Sequence, residues 1–251
     1  MKFLYVFFSL IFFSSLVMAN QTNSKDIDSS DSLRWKGFNL GINSGLLINQ
    51  TKGTLSPDGD LGPSPGRNDS WNYKNLGFTA GGQLGYKYQA NLFVCGLETD
   101  FNYSYLKKNH FSARTVPSDP GGGSDISNDI SHHMNWFGTF RPCLGLGFDT
   151  SFIYVTGGLA YGHVKSATEI IYRADPYIGS KNKTKLGWTI GGGLEYGFLK
   201  NWSFKLEYLF IDLGSLRYKV SDTTGFYPTY YFYTKLINKT SAVRLGLNWM
   251  F

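Results

Sequence analysis

The sequence predicts an all-β fold, an eight-stranded antiparallel up-and-down transmembrane β-barrel with four long extracellular loops. Three observations carry that expectation. Apolar and polar residues alternate with period two through eight separate stretches, aromatics and aliphatics on one parity, glycines, amides and charges on the other. The connections between these stretches alternate strictly between long and short. The chain also closes on such a stretch: from Ser241 to Phe251, Val243, Leu245, Leu247, Trp249 and Phe251 share one parity against Ala242, Arg244, Gly246, Asn248 and Met250. Charges on the small-residue face reverse the arrangement of a water-soluble barrel, whose interior is its apolar side. The apolar face is therefore expected to meet lipid, and lipid demands closure, because no water is there to satisfy an unpaired backbone group.

Residues 1–19 read as a signal peptide: Lys2, an apolar run from Phe3 to Phe13, and short residues ending at Ala19, with cleavage expected before Asn20. A retained membrane helix is the alternative, but it needs about twenty apolar residues. Residues 20–33 are rich in Ser and Asp, lack periodicity and read as a flexible periplasmic lead-in. The barrel domain is expected over 34–251. Aromatics make up 17%, Gly 30 residues, and charged residues only 17%, below the usual quarter or so. The net charge of +6 is scattered along the chain. It suits a surface facing the phosphates of outer-membrane lipid and lipopolysaccharide, whereas nucleic-acid binding would need a basic cluster.

Each strand follows from its alternation. The first, about Arg34 to Ile48, sets Phe38, Leu40, Ile42, Leu46 and Ile48 against Asn39, Gly41 and Asn43. A loop with P-D-G-D and P-S-P-G turn chemistry, Asn49 to Asn75, leads to the second, Leu76 to Tyr88, with Gln83 and Lys87 inward. After the short turn at Gln89–Asn91 the third, Leu92 to Tyr105, turns Glu98, Asp100 and Asn102 inward. Loop two spans Leu106 to Ser131, and the fourth strand, about His132 to Phe148, turns Asn135, Thr139, Arg141 and Cys143 inward. The fifth is Phe152 to Val164. Loop three, Lys165 to Lys185, precedes the sixth strand, Leu186 to Phe198, with Glu195 inward; the seventh, Trp202 to Leu213, carries Lys205 and Glu207 inward. Loop four, Gly214 to Lys239, precedes the closing strand.

Two features check this register. A threonine followed by paired glycines and then an outward Leu and Tyr recurs from Thr79, Thr156 and Thr189, with the threonine inward each time. Of eight prolines, seven fall in the expected loops and only Pro142 inside a strand. A closed barrel offers no free edge for the missing N–H, so a bulge or an early strand end is expected at Pro142.

The phrases G-G-Q-L-G-Y, F-V-C-G-L-E-T-D-F, W-F-G-T-F-R, Y-V-T-G-G-L-A-Y-G, G-W-T-I-G-G-G-L-E-Y, N-W-S-F-K-L-E-Y-L and V-R-L-G-L-N-W-M-F occur in that order. Together they resemble the opacity and OmpA-like family of small outer-membrane barrels, above all its porin-family surface antigens. The resemblance spans Trp35 to Phe251 apart from the loops, and departs from the family at Pro142-Cys143. It implies a Gram-negative outer-membrane location, assembly by the barrel-assembly machinery, and Trp249 and Phe251 as part of the assembly signal. Members are variously structural anchors, adhesins, immune antigens or haem binders.

Chemistry-bearing residues are sparse. Cys95 and Cys143 fall on opposite faces of neighbouring strands and read as free thiols. His132 and His133 re-enter the barrel after loop two; adjacent strand residues point to opposite faces and rarely share one ion, so they read as solvated mouth residues in preference to haem or metal ligands. Ser131 and His133 lack a carboxylate of suitable spacing for a hydrolase, and no nucleophile elbow, P-loop or zinc-protease motif is present. No enzyme, cofactor or metal is expected.

The inward charges form the clearest constellation. Glu98, Asp100, Glu195 and Glu207 are expected to face Arg141, Lys205 and Arg244 in a lumen just wide enough for side chains, paired because a lone buried ion is costly. A second candidate is the aromatic run of loop four, Phe226, Tyr227, Tyr230, Tyr231 and Tyr233, as a surface for a host ligand. The reading is a non-enzymatic surface barrel; a narrow porin and a loop-borne adhesin or haem binder are the alternatives.

Overall fold

The computed structural model describes residues 34–59, 68–116, 124–172, 175–225 and 229–251. The expected signal peptide and lead-in lie outside them. Eight strands close into one antiparallel barrel in sequence order: β1 (Gly37–Gly59), β2 (Asp69–Ala90), β3 (Phe93–Val116), β4 (Ser124–Gly147), β5 (Ser151–Tyr172), β6 (Asp175–Leu199), β7 (Trp202–Asp222) and β8 (Tyr230–Met250). β8 closes on β1 from Asn39↔Met250 to Gly59↔Tyr230. No helix among the described residues is long and apolar enough to cross a membrane.

The outward residues form an apolar belt at the end that carries the short turns. Ile42, Phe93, Leu97, Leu144, Val155, Leu159, Ile190 and Leu245 are all more than half or nearly half exposed. Burying that much aliphatic surface is what the lipid supplies. Aromatics rim the belt: Phe38, Tyr86, Tyr88, Trp202, Trp249 and Phe251 at the turn end, and Tyr103, Tyr105, Trp188 and Tyr208 at the other.

The strands are far longer than the sequence suggested. They run 21 to 25 residues, whereas a tilted membrane strand needs about 9–11. Most of what read as loops at Asn49–Asn75, Leu106–Ser131, Lys165–Lys185 and Gly214–Lys239 is thus strand that carries the barrel beyond the belt. There the alternation inverts: Leu47, Leu55, Ile126, Ile130, Met134, Val164, Ile170, Leu216, Tyr218, Val220, Phe232 and Leu236 point inward and pack into an apolar core, while lysines and hydroxyl residues face out beside a few apolar ones such as Phe111, Ile171 and Ile178.

Bulges mark the change of regime. Registers shift between Tyr103 and Leu106 on β3, between Met134 and Trp136 on β4, and between Asp212 and Ser215 on β7. The β4 bulge corrects one expectation: Asn135 is exposed instead of inward, and Phe137 is fully buried. On β7 it hands the inward parity from Leu213 to Leu216, with Gly214 at φ +72° making the step. The β6–β7 ladder lapses between Ile178↔Ser221 and Trp188↔Asp212. Lys185 Nζ spans the lapse to the Ser215 carbonyl at 2.7 Å, and Thr168 of β5 reaches the Tyr218 hydroxyl at 2.6 Å.

Pro142 makes no bulge. It sits opposite Leu97 in the β3–β4 ladder, and on the β5 side pairing lapses at Arg141 and Pro142 and resumes at Cys143↔Thr156 in the same register. The Thr156 hydroxyl donates to the Pro142 carbonyl at 2.8 Å. Thr79 and Thr189 make the same contact with the carbonyls of Tyr103 and Phe210, both at 2.9 Å. The repeated threonine is therefore an inward cross-strand clamp.

Candidate functional site

From the turn end upward the lumen has three layers. The lowest is an aromatic floor. The first strand begins at Gly37 and not at Arg34, because the chain turns there at φ +138°, and Trp35 folds beneath the barrel. Its backbone N–H donates to Gln89 Oε1 and its indole N–H to the Phe148 carbonyl, both at 2.9 Å. Its ring lies 5.6 Å from that of Phe152, which stacks on Tyr154 at 5.0 Å.

Above the floor lie eight buried charges. Arg141, on β4, is fully buried and reaches Glu98 at 2.8 Å, Asp100 at 2.9 Å and Glu207 at 3.1 Å. Arg244, on β8, joins Asp100 at 3.0 Å and Glu207 at close range. Lys205 bridges Glu98 and Glu207. Thr139 donates to Asp100 Oδ2 and the Tyr154 hydroxyl to Glu207 Oε1, both at 2.8 Å. Glu195 lies outside this group, with the Ser203 hydroxyl donating to it, and its cation is Lys87. The charges then balance: Glu98, Asp100, Glu195 and Glu207 against Lys87, Arg141, Lys205 and Arg244. The sequence reading turned Lys87 inward but left it out of the network, which consequently carried one cation too few.

This pairing satisfies the rule that a desolvated ion needs a partner in good geometry. It also occupies the cross-section. Asn43, Gln83 and Asn248 fill the wall beside it, linked Asn43 Nδ2 to Gln83 Oε1 at 3.3 Å and Gln83 Nε2 to Asn248 Oδ1. The third layer is the apolar core, crossed by a hydroxyl and amide chain in which Thr240 donates to Asn49, Asn49 to Thr51, and Thr51 to Asn238, at 2.8–3.0 Å.

The remaining candidates fall as follows. Cys95 is exposed, Cys143 is buried, and both are free. His132 is not solvated: it is 2% exposed on the inner face with Nδ1 at 2.8 Å from Ser166 Oγ. Burial, with the charge of His133 adding to it, lowers its pKa to about 4. His133 lies on the opposite parity, half-buried. No group of three or more metal-ligating side chains occurs among the described residues. Of the aromatic run, Phe226 and Tyr227 lie outside the described residues. Tyr231 and Tyr233 belong to β8 and not to a loop; their rings meet edge-on at 5.7 Å, and Lys219 and Arg217 stack on them at 3.8 and 4.3 Å. Phe232 between them points inward and is fully buried. Tyr230 opens the same strand.

Residues 9–251 match the family described as outer membrane protein beta-barrel domain. The chain belongs to that family. Among its relatives is the 31 kDa outer-membrane immunogenic protein of Brucella melitensis biotype 1, 33% identical over 94% of this chain and 91% of the relative. A 22 kDa outer membrane protein of Rhizobium leguminosarum bv. viciae is 29% identical over 73% of this chain and 67% of the relative. Among solved structures, the outer membrane protease OmpT from Escherichia coli superposes with a TM-score of 0.50 at 10% identity, covering 88% of this chain and 98% of that one. That likeness concerns the fold alone. This barrel is accordingly an outer-membrane protein, and its apolar belt is the part that crosses the bilayer.

Proposed function

We propose that this barrel is a non-enzymatic, non-conducting structural protein of the outer membrane that lifts its long strands and their connections above the cell surface. The observation that carries the reading is the double seal of the lumen. A balanced cluster of eight paired charges fills the membrane half, and an apolar core fills the half beyond it. Eight strands enclose a space that side chains fill, whereas water-filled channels come with about sixteen or more. The short turns and the strand ends at Gly37 and Met250 lie at one end, the arrangement of the periplasmic side in this class of barrel. The extended end then faces outward. The naming of relatives as immunogenic proteins accords with surface display.

Planar-bilayer recording of the folded full chain tests this. The expected trace is flat; steady, large single-channel steps from the monomer would overturn the reading in favour of a narrow porin.

A further inference from the structure

The outer wall of β1, β8 and β7 carries a basic patch directly above the lipid belt. The strand registers define it. Lys235 sits opposite Arg217 on β7 and Thr54 on β1; Lys52 sits opposite Ile237, two residues from both Lys235 and Lys239; Lys219 sits opposite Tyr233. All five cations are exposed, and none makes a salt bridge among the described residues. Side chains directly opposite on antiparallel strands lie about 5 Å apart at Cβ and diagonal ones about 7–8 Å. The five therefore form one continuous surface in which Arg217 and Lys235 are direct like-charge neighbours.

Like charges placed opposite each other destabilise a sheet. One acid faces the patch in register, Asp212 opposite Lys239, and its Oδ1 accepts the Gly214 N–H at 2.8 Å; Asp58 lies opposite Tyr231, and no acid stands opposite Lys52, Arg217, Lys219 or Lys235 in the ladders. Arg217 and Lys219 are further held in place by stacking on Tyr233 and Tyr231. Such an arrangement gains stability when an anion lies over it.

The level of the patch identifies the anion. Val243 and Leu245 on β8, Leu46 and Ile48 on β1 and Tyr208 on β7 are lipid-facing. The Tyr208 hydroxyl meets Ser241 Oγ at 3.0 Å, at the belt's rim. Lys239 is the next outward residue above Ser241, so in the inserted barrel the patch begins at the headgroups of the outer leaflet. We infer that Lys52, Arg217, Lys219, Lys235 and Lys239 form a docking surface for the phosphorylated headgroups of outer-leaflet lipid, with Arg217 and Lys235 at its centre. Arg can hold a phosphate through two N–H donors at once, and Lys adds point charge.

The test uses the full chain folded in detergent and incubated with diphosphorylated lipid A, its dephosphorylated form, or a soluble inorganic polyphosphate, with bound mass read by native mass spectrometry. Wild type is expected to retain the phosphorylated lipid at least tenfold better than the dephosphorylated form. The Arg217→Ala/Lys235→Ala double variant should lose that preference, Arg217→Lys/Lys235→Arg should keep most of it, and Lys165→Ala, exposed on β5 across the ring from β1, should match wild type. Heat-modifiable gel mobility establishes that each variant is folded. Unchanged retention by the Arg217/Lys235 alanine variant, equal binding of the dephosphorylated lipid, or polyphosphate bound as tightly as the lipid would each overturn the proposal, the last pointing to a soluble polyanion.

Discussion

Lys87 of β2 and Glu195 of β6 meet across the barrel, their ammonium and carboxylate in direct contact and almost wholly buried. The pair ties together walls that no ladder connects. It also separates the aromatic floor from the charge cluster, since Lys87 Nζ lies 5.4 Å from the Trp35 ring and 5.2 Å from that of Phe152.

Removing one partner should therefore be worse than removing both. Lys87→Met leaves Glu195 with the Ser203 hydroxyl as its remaining hydrogen-bond partner, and breaking a buried pair typically costs about 3–5 kcal/mol. The double variant Lys87→Met/Glu195→Gln should recover most of that loss. Urea unfolding of the barrel in lipid measures both; equal losses in the single and double variants would count against the pairing as the source of stability.

Much of this was legible from sequence for one half of the barrel. In the belt, outward residues are apolar and inward ones small or charged, so Glu98, Arg141, Glu207 and Arg244 could be placed inside by parity alone. Beyond the belt both faces change partners: water lies outside and a largely apolar core inside. The stretch Leu216-Arg217-Tyr218-Lys219-Val220 alternates as cleanly as any belt strand, but with its apolar parity inward. Read for a lipid-facing stripe, it looked like polar loop. Lys87 was missed for another reason, since its partner Glu195 is 108 positions away and only closure of the ring brings them together.

The inverted half makes its own prediction. Phe232 is fully buried, with its ring 5.4 Å from that of Tyr177 and 6.3 Å from that of Tyr172. Phe232→Ala should cost about 3–5 kcal/mol through the cavity it leaves. Because the belt is untouched, membrane insertion should persist while the outer end becomes susceptible to protease. Limited proteolysis of intact cells separates the two effects, and a variant as resistant as wild type would show that the outer core contributes little.

His132 predicts acid lability of the same end. It lies four residues beyond Trp136, above the belt, and its folded pKa of about 4 lies below the ordinary imidazole value of 6.5. Between these values the unfolded chain binds the proton and the folded one does not, so stability falls as pH drops through that window. The full loss below pH 4 is about 3 kcal/mol at 1.36 kcal/mol per pH unit. His132→Asn should flatten the dependence between pH 6.5 and 4, read as urea midpoints at several pH values; an unchanged slope would assign the acid response to other groups.

The last prediction concerns closure. Phe251 donates its N–H to the Phe38 carbonyl at 2.9 Å and accepts from the Phe38 N–H at 3.1 Å, so its backbone makes the final β1–β8 contact. Its ring stacks on Trp249 at 4.9 Å and on Phe38 at 6.2 Å, on the lipid side of the turn-end rim. An aromatic there is at home in the interface, where one face is wet and the other apolar. Removing Phe251 deletes two backbone hydrogen bonds and one member of a three-ring stack, leaving the Phe38 N–H and C=O unpaired at the seam's turn-end rim. We expect secretion to continue and outer-membrane levels of the heat-modifiable form to fall several-fold. Phe251→Tyr, which keeps ring and backbone, should restore them, while Phe251→Ala, which keeps the backbone alone, should fall between. Normal levels of a chain ending at Met250 would show that the seam closes without its terminal aromatic.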